Sequence, residues 1–245
     1  MNLYRADLHI HTSASPDGRS TLEEMARSAR AAGLDALAVT DHNLCTPLPE
    51  WLEGVLLIPG CEVSTRIGHI TALFLERPLP AWEGLPEPEE AVAAIRGCGG
   101  LAVLAHPYQR PGAAPEAFAF SLDGLETANA RACFKAPDAN GRAAALALER
   151  GLTAVGGSDA HDRAELGGAW TELEAEELTR GALREALASG RSRAVLKRNT
   201  PRLRKGLSQW TKARRLGGAK RLGTAALYVC YCGALDILRP LPRVE

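Results

Sequence analysis

Short apolar segments alternate with longer amphipathic segments along residues 1–197. A short apolar run is typical of a buried strand, and apolar residues recurring every three or four positions are typical of a helix. The pattern predicts strands at 4–11, 36–40, 55–58, 68–75, 101–105, 124–127, 153–156 and 192–196. It predicts helices at 21–32, 87–98, 138–150 and 174–189.

This alternation predicts parallel strands joined by right-handed crossovers, in a closed barrel or an open doubly wound sheet. The polar motifs favour the barrel. His42, Glu62, His106 and the pair Asp159 and His161 follow the ends of different predicted strands. A barrel gathers its strand ends around one mouth, whereas an open sheet offers chiefly one crevice. We therefore predict the α/β class and a barrel of about seven strands.

The length of 245 residues, with 46% hydrophobic and 24% charged residues, is ordinary for one large globular domain. The apolar segment 224–238 is short and carries Asp236, so we expect no membrane span. Because the motif at Asp7 starts so early, we expect no signal peptide and a cytoplasmic location. None of the six cysteines has C-x-x-C spacing, so we expect reduced thiols. Cys230 and Cys232 could bind metal, but we favour two small apolar residues.

A net charge of zero conceals two regions of opposite charge. Residues 1–197 contain 18 Lys/Arg and 27 Asp/Glu, whereas residues 198–245 contain 11 and 2. We predict a barrel domain at 1–197 and a basic, then apolar, helical extension at 198–245. The stretch 198–221 has nine Lys/Arg, no acid and Trp210, which could contact nucleic acid or an anionic membrane. A solvated helix or a partly disordered extension is the simpler interpretation. The oligomeric state is not predicted.

All six histidines lie in or directly after predicted strands. His9 and His11 are two residues apart in a strand, so they face the same side. Three carboxylates lie at similar positions and complete a set of nitrogen and oxygen ligands that suits zinc, manganese or iron. The nine residues are His9, His11, Asp17, His42, Glu62, His69, His106, Asp159 and His161.

Six motifs occur in this order within residues 3–197: DLHIHT, TDHN, GCEVST, GHI, AHP and GSDAH. The series resembles the polymerase and histidinol phosphatase (PHP) superfamily, especially its short stand-alone bacterial members. The resemblance implies a distorted seven-stranded β/α barrel with two or three metals that hydrolyses phosphate esters. It implies one metal on His9, His11, Glu62 and Asp159, a second on Glu62, His69 and His106, and a third on Asp17, His42 and His161.

The same resemblance makes Glu62, Asp159 and His161 the expected catalytic residues, with Glu62 bridging two metals. A water that bridges two metals is deprotonated near neutral pH, and this hydroxide is the expected nucleophile. Three divalent ions and three carboxylates give the cleft a charge of about +3, which attracts phosphate.

Other polar residues near the motifs are expected to assist. Arg19 and Arg110 are expected phosphate contacts, because guanidinium binds oxyanions in a bidentate manner. Asn129 is a further expected substrate contact. Asp7 and Asp41 are expected either to orient the histidine ligands or to cap strand ends.

We therefore predict a metal-dependent hydrolase of phosphate esters that acts on a small phosphomonoester, a nucleotide or an oligonucleotide end. One alternative is a 5′- or 3′-end nuclease assisted by the basic tail. Another is a non-catalytic metal-binding accessory domain. The sequence leaves the substrate and the native metal open.

Overall fold

The structure, a computed structural model, describes residues 1–110, 115, 121–241 and 244. Its strands are β1 (Asn2–Ile10), β2 (Ala36–Val39), β3 (Trp51–Leu52), β4 (Val55–Ser64), β5 (His69–Leu73), β6 (Leu101–Leu104), β7 (Gly124–Asn129), β8 (Thr153–Gly157), β9 (Ala169–Ala175) and β10 (Ser192–Leu196). Its α-helices are α1 (Leu22–Ala31), α2 (Pro88–Gly97), α3 (Ala139–Arg150), α4 (Arg180–Ala188), α5 (Arg202–Leu216) and α6 (Ala219–Leu238).

The strands form one sheet in the order β10-β9-β1-β2-β4-β5-β6-β7-β8, with β3 paired to β4. Beyond β8, at one end of this order, the chain returns to β1, the third strand from the other end. The Asp159 N–H donates to the His9 carbonyl at 2.8 Å, and the His11 N–H donates to the Ala160 carbonyl at 2.8 Å. The sheet is therefore a nearly closed barrel, and the predicted α/β barrel is confirmed.

The strand directions differ from the prediction. Strand β5 runs antiparallel to β4 and β6, and β9 runs antiparallel to β1 and β10. Only residues 65–68 connect β4 to β5, and a parallel crossover needs about a dozen residues or more. The predicted helix 174–189 is wrong over residues 174–179, because residues 169–175 form β9, which pairs with strands on both sides, and α4 begins only at Arg180.

Two consecutive glycines let β8 lie against its neighbours. A Cβ on Gly157 would lie 2.5 Å from the His9 Cβ, and a Cβ on Gly156 would lie 2.3 Å from the Trp170 carbonyl oxygen. Either contact is shorter than atoms tolerate. Backbones can approach this closely only where the side chain is absent.

Helices α5 and α6 form an antiparallel hairpin. Gly217 and Gly218 join them with φ of 72° and 94°. At the open end, Asp236 of α6 accepts hydrogen bonds from the Arg202 and Leu203 N–H groups, at 2.9 and 2.8 Å. These N–H groups begin α5 and have no partner within the helix, so Asp236 serves as their cap. The division of the chain at residue 197 stays a prediction, and residues 242, 243 and 245 of the predicted extension lie outside the described residues.

Helix α6 begins five residues before the apolar segment that the sequence indicated. By length and composition alone it is long enough to cross a membrane, and only 11% of its most apolar window is buried. The sequence argument from segment length was therefore wrong. The expectation of no membrane span stays a prediction.

Candidate metal centre

All nine residues of the predicted ligand set lie together at one mouth of the barrel. His9 lies in β1, one residue before its end, and His11 directly follows the strand. Asp17 lies in the next loop, and the others follow or lie within β2, β4, β5, β6 and β8. Strand β4 continues past its predicted end, pairing with β2 up to Pro59 and with β5 from Gly60. Since β5 is antiparallel to β4, its first residue, His69, lies at the mouth where β4 ends.

Glu62 is the centre of the cluster and is 1% exposed. Its Oε1 lies 2.8 Å from His69 Nδ1 and 2.9 Å from His106 Nε2, and its Oε2 lies 2.8 Å from His42 Nδ1. His9 Nε2 lies 3.5 Å from Oε1. Burial raises the pKa of Glu62, but the surrounding imidazoles outweigh burial and hold it well below the usual value. The carboxylate is therefore ionised and shared by several nitrogen donors.

Two further carboxylates, those of Asp17 and Asp159, lie near His11 and His161. His11 Nε2 is 3.5 Å from Asp159 Oδ1, and Asp17 Oδ2 is 3.6 Å from His161 Nε2. Asp17 Oδ1 is also 3.6 Å from His42 Nε2. Asp159 has a φ of 53°, a left-handed conformation that is uncommon outside glycine and is found at functional sites.

Three imidazoles donate a hydrogen bond from the Nδ1 atom, which faces away from the cluster. Their Nε2 atoms, without a proton, then face into the cluster. Glu126 Oε1 accepts from His9 Nδ1 at 3.0 Å, and the Asp159 carbonyl accepts from His161 Nδ1 at 2.9 Å. Ser15 donates its hydroxyl proton to Asp41, so it accepts from His11 Nδ1 at 3.3 Å. In this tautomer the Nε2 atom of each ring carries a lone pair, as a metal ligand requires.

The resulting arrangement fits divalent cations. The Nε2 atoms of His9 and His11 lie 3.2 Å apart, a distance at which the two nitrogens can share either a proton or a cation. The buried Asp17 Oδ1 has no hydrogen-bond partner among the described residues, and Glu62 Oε2 has only the His42 Nδ1 contact at 2.8 Å, which lacks hydrogen-bond geometry. Buried oxygens without donors are costly, whereas a cation satisfies them. Groups of donor atoms within 4.8 Å of one another include His9, His11 and Glu62; Glu62, His69 and His106; and His11, His42 and His161.

The residues that position the ligands are only partly those expected. Asp7 accepts hydrogen bonds from the backbone N–H groups of Ser158 and His9, at 2.8 and 3.3 Å, and no imidazole hydrogen bond to it is found among the described residues. Burial raises its pKa to about 7. Asp41 acts on His11 through Ser15. Glu126 was missed, although an acid inside the apolar strand 124–127 was a usable signal.

Seven of the nine predicted ligands, all except His9 and His11, line a cavity of about 1390 Å³. Besides the ligands, this cavity is lined by cationic side chains: Arg110, Arg131, Lys135, Lys205, Lys212, Lys220 and Arg221. Of the described lining residues, the only carboxylates are Asp17, Glu62 and Asp159. A cavity with this charge distribution attracts anions.

The expected substrate contacts differ in their placement. Arg110 lines the cavity, whereas Arg19 and Asn129 are not among the described lining residues. Arg19 Nη1 lies 3.0 Å from Asp162 Oδ2. Asn129 is fully buried and donates to Glu126 Oε2 at 3.0 Å. The substrate-binding roles of the three residues stay predictions.

Comparison with known proteins agrees with this geometry. Residues 7–96 match the family model described as PHP domain, and residues 137–192 match the model described as PHP-associated. The uncharacterized protein MJ1587 of Methanocaldococcus jannaschii is 35% identical over 143 residues, which cover 51% of this chain and 82% of MJ1587.

More distant relatives extend the match. The probable phosphatase Shewana3_2794 of Shewanella sp. (strain ANA-3) is 27% identical over 202 residues, which cover 67% of this chain and 79% of that protein. The crystal structure of a two-domain protein from Bacteroides vulgatus, containing a predicted PHP-like metal-dependent phosphoesterase, has a TM-score of 0.60 and 23% identity. The likeness covers 80% of this chain and 65% of that one, and at this identity it shows the fold alone.

Proposed function

Because the chain belongs to the PHP family of metal-dependent phosphoesterases, we propose that it is a phosphatase that hydrolyses a phosphate monoester in the cation-lined cavity. The main support for this proposal is that imidazoles from several strands contact the carboxylate of Glu62, which lines that cavity. A buried carboxylate with this many nitrogen neighbours has the chemistry of a bridging metal ligand.

Within this proposal, His9, His11, Glu62 and Asp159 hold one ion, and His69 and His106 share Glu62 to hold a second. The residues proposed to hold a third are Asp17, His42 and His161. Divalent ions of this kind, zinc, manganese or iron, supply Lewis acidity and lower the pKa of water. A cytoplasmic location is part of the same proposal.

The residues of the chain supply orientation and charge. Glu126, Ser15 and the Asp159 carbonyl fix the histidine tautomers, as described above. Glu62 and Asp159 carry negative charge between the imidazoles, and His161 directs its Nε2 toward Asp17. Arg110 and the lysines of the cavity wall are positioned to bind the non-bridging oxygens of a phosphate, since cations in a recessed site attract oxyanions.

Two alternatives remain distinct from this proposal. An end-acting nuclease is favoured by one observation, the lining of the same cavity by basic residues of α5 and α6. A non-catalytic metal-binding domain is disfavoured because none of the nine ligand positions is lost.

The proposal is tested by measuring phosphate release from a broad panel of phosphate esters with manganese or zinc added. We expect turnover of at least one monoester by the wild type and none by Glu62→Gln. Arg214→Gln changes an exposed α5 residue that is not among the described lining residues, and it should retain wild-type activity. Metal bound tightly without turnover of any ester would instead support the accessory-domain alternative.

A further inference from the structure

The outward face of α6 is apolar and exposed. Between residues 222 and 238, no exposed side chain of this helix is charged. At 3.6 residues per turn, eight of the exposed positions fall within an arc about 140° wide, which we call the α6 stripe. The stripe consists of Gly223, Ala226, Leu227, Cys230, Tyr231, Ala234, Ile237 and Leu238. Its four large side chains are between 55% and 82% exposed. An apolar arc of this width normally faces a protein core, so its exposure indicates an interaction surface.

Contacts with α5 hold the stripe in this outward orientation. Asp236 caps the start of α5, as described above. A Cβ on Gly206 of α5 would lie 3.1 Å from the Val229 Cα, so the two helices pack closely. Helix α5 is joined to the barrel in turn, because Arg215 donates to the Ser15 carbonyl. Helix α6 would lose the cap and this packing if it left α5 to cross a bilayer, so the stripe is suited to lie along a surface.

Exposed cations lie at both ends of the stripe. Arg214, Arg215, Lys220 and Arg221 lie near the turn between the helices, and Arg239 follows the end of α6. The hairpin residues that form ion pairs, within the part of the chain that the structure describes, are instead Arg202 and Arg204. The one carboxylate of the described hairpin, that of Asp236, is already occupied as the cap of α5. The surface around the stripe therefore has unbalanced positive charge.

The combination of an apolar stripe and flanking cations discriminates between partners. A second copy of the chain would cover the stripe, but a parallel pair of α6 helices would bring like ends together. An antiparallel pair would bring Arg239 close to Lys220 and Arg221 of the other copy, and like charges repel. A nucleic acid would pair with the cations through its phosphates and leave the apolar side chains in water. An anionic lipid surface satisfies both features, because its acyl chains accept apolar side chains and its headgroups attract cations.

We infer that α6 docks on an anionic membrane surface, with the helix axis parallel to the bilayer and the stripe inserted at the boundary between headgroups and acyl chains. The docking is peripheral and reversible. It uses none of the nine ligand residues and does not depend on the proposed function. Thr224 and Tyr228, on the neighbouring side of α6, line the cavity, so docking places the cavity beside the membrane surface.

Flotation of the full chain with lipid vesicles tests this docking. We expect at least about tenfold tighter binding to phosphatidylcholine vesicles that contain phosphatidylglycerol than to pure phosphatidylcholine, since each cation near an anionic surface contributes about fivefold. Raised salt should weaken this preference. The double variant Leu227→Gln/Ile237→Gln should bind about 100-fold more weakly, because burial of each side chain contributes about tenfold or more. Arg239→Gln should lose about fivefold.

The matched control is Leu148→Gln, which replaces a leucine of α3 that is 86% exposed and lies outside the hairpin. It should bind vesicles as the wild type does, and thermal melts would verify that each variant is folded. Cys230 offers a second readout, because it is the exposed one of the six cysteines and lies within the stripe. An environment-sensitive fluorophore attached to Cys230 should shift its emission to shorter wavelength with anionic vesicles and not with neutral ones.

Several results would overturn the inference. One is a wild type that does not bind anionic vesicles, and another is an equal loss of binding in Leu148→Gln and in the double variant. A lipid-free dimer that dissociates in the double variant would assign the stripe to a second copy of the chain. Oligonucleotide binding without vesicle binding, weakened by Arg239→Gln and not by the double variant, would assign the cations to nucleic acid. Resistance to both raised salt and carbonate extraction would identify a membrane-spanning helix instead.

Discussion

Glu126 is the residue whose replacement most directly tests how the centre is built. Its carboxylate is 2% exposed and accepts three hydrogen bonds: from His9 Nδ1 at 3.0 Å, from the His106 N–H at 2.7 Å and from Asn129 Nδ2 at 3.0 Å. Three donors converge on two oxygens. In Glu126→Gln only one oxygen remains, and the new amide group can donate but not accept.

The two orientations of the glutamine have different costs. If its oxygen keeps the bonds from His106 and Asn129, its amide faces His9 Nδ1, which must then become the acceptor. The proton moves to His9 Nε2 and removes the lone pair that the metal requires. If its oxygen keeps the bond from His9, two buried donors lose an acceptor, at about 1–3 kcal/mol each.

The first orientation predicts a loss of about 10- to 100-fold in metal affinity, which is about 1.4–2.8 kcal/mol, whereas the second lowers the stability of the folded protein. Competition with a chromophoric chelator measures this affinity. Glu172→Gln is the matched control, because Glu172 is a buried acid of β9 that pairs with Arg193 and is not among the described lining residues. Metal affinity of folded Glu126→Gln within about twofold of wild type would refute the role assigned to Glu126.

Three further predictions concern ligand sharing, protons and stability. Glu62→Gln should lose more bound metal per chain than Asp17→Asn, because Glu62 contacts imidazoles of both proposed main sites; equal losses by mass spectrometry would contradict the sharing. Burial lowers the pKa of His42, but Glu62 and Asp17 outweigh burial and raise it to about 10, so the metal-free protein holds this proton at pH 8. Metal binding must displace this proton, so metal affinity should rise with pH below about 10. Calorimetry in buffers of different ionisation enthalpy should detect the proton release. If no proton is released, His42 is not a metal ligand. Glu165→Ala leaves Arg131 buried without its bidentate partner, which should cost about 3–5 kcal/mol and lower the melting temperature by about 6–20 °C; a shift below about 2 °C would show that water reaches the guanidinium.

The sequence predicted the site better than it predicted the strand directions. His42 and His106 were identified because polar residues at the ends of apolar strands meet at a barrel mouth in any register. The position of His69 depends on the reversal of β5, which no local hydrophobic period encodes. Residues 174 and 175 have helical propensity, but pairing of β9 with two strands overrides it.

Contacts between distant segments account for what the sequence could not provide. Glu126 acquires its role only when β7 lies beside the end of β1, and Lys205 faces the ligands only when the hairpin folds back over the mouth. The start of α6 follows from the two glycines before it, which the hydropathy pattern did not weigh.

The contact between β1 and the residues that follow β8 also determines when this centre can form. His9 precedes Asp159 and His161 by about 150 residues. These two residues can lie beside it only because the glycines of β8 allow close approach. During synthesis at about 5–20 residues per second, about 8–30 s pass between the addition of His9 and that of His161. A nascent chain can present His9 and His11 before the other residues of the set, but Asp159 and His161 cannot join them until β8 has been synthesised. We therefore expect the proposed metal centre to form only when the barrel closes.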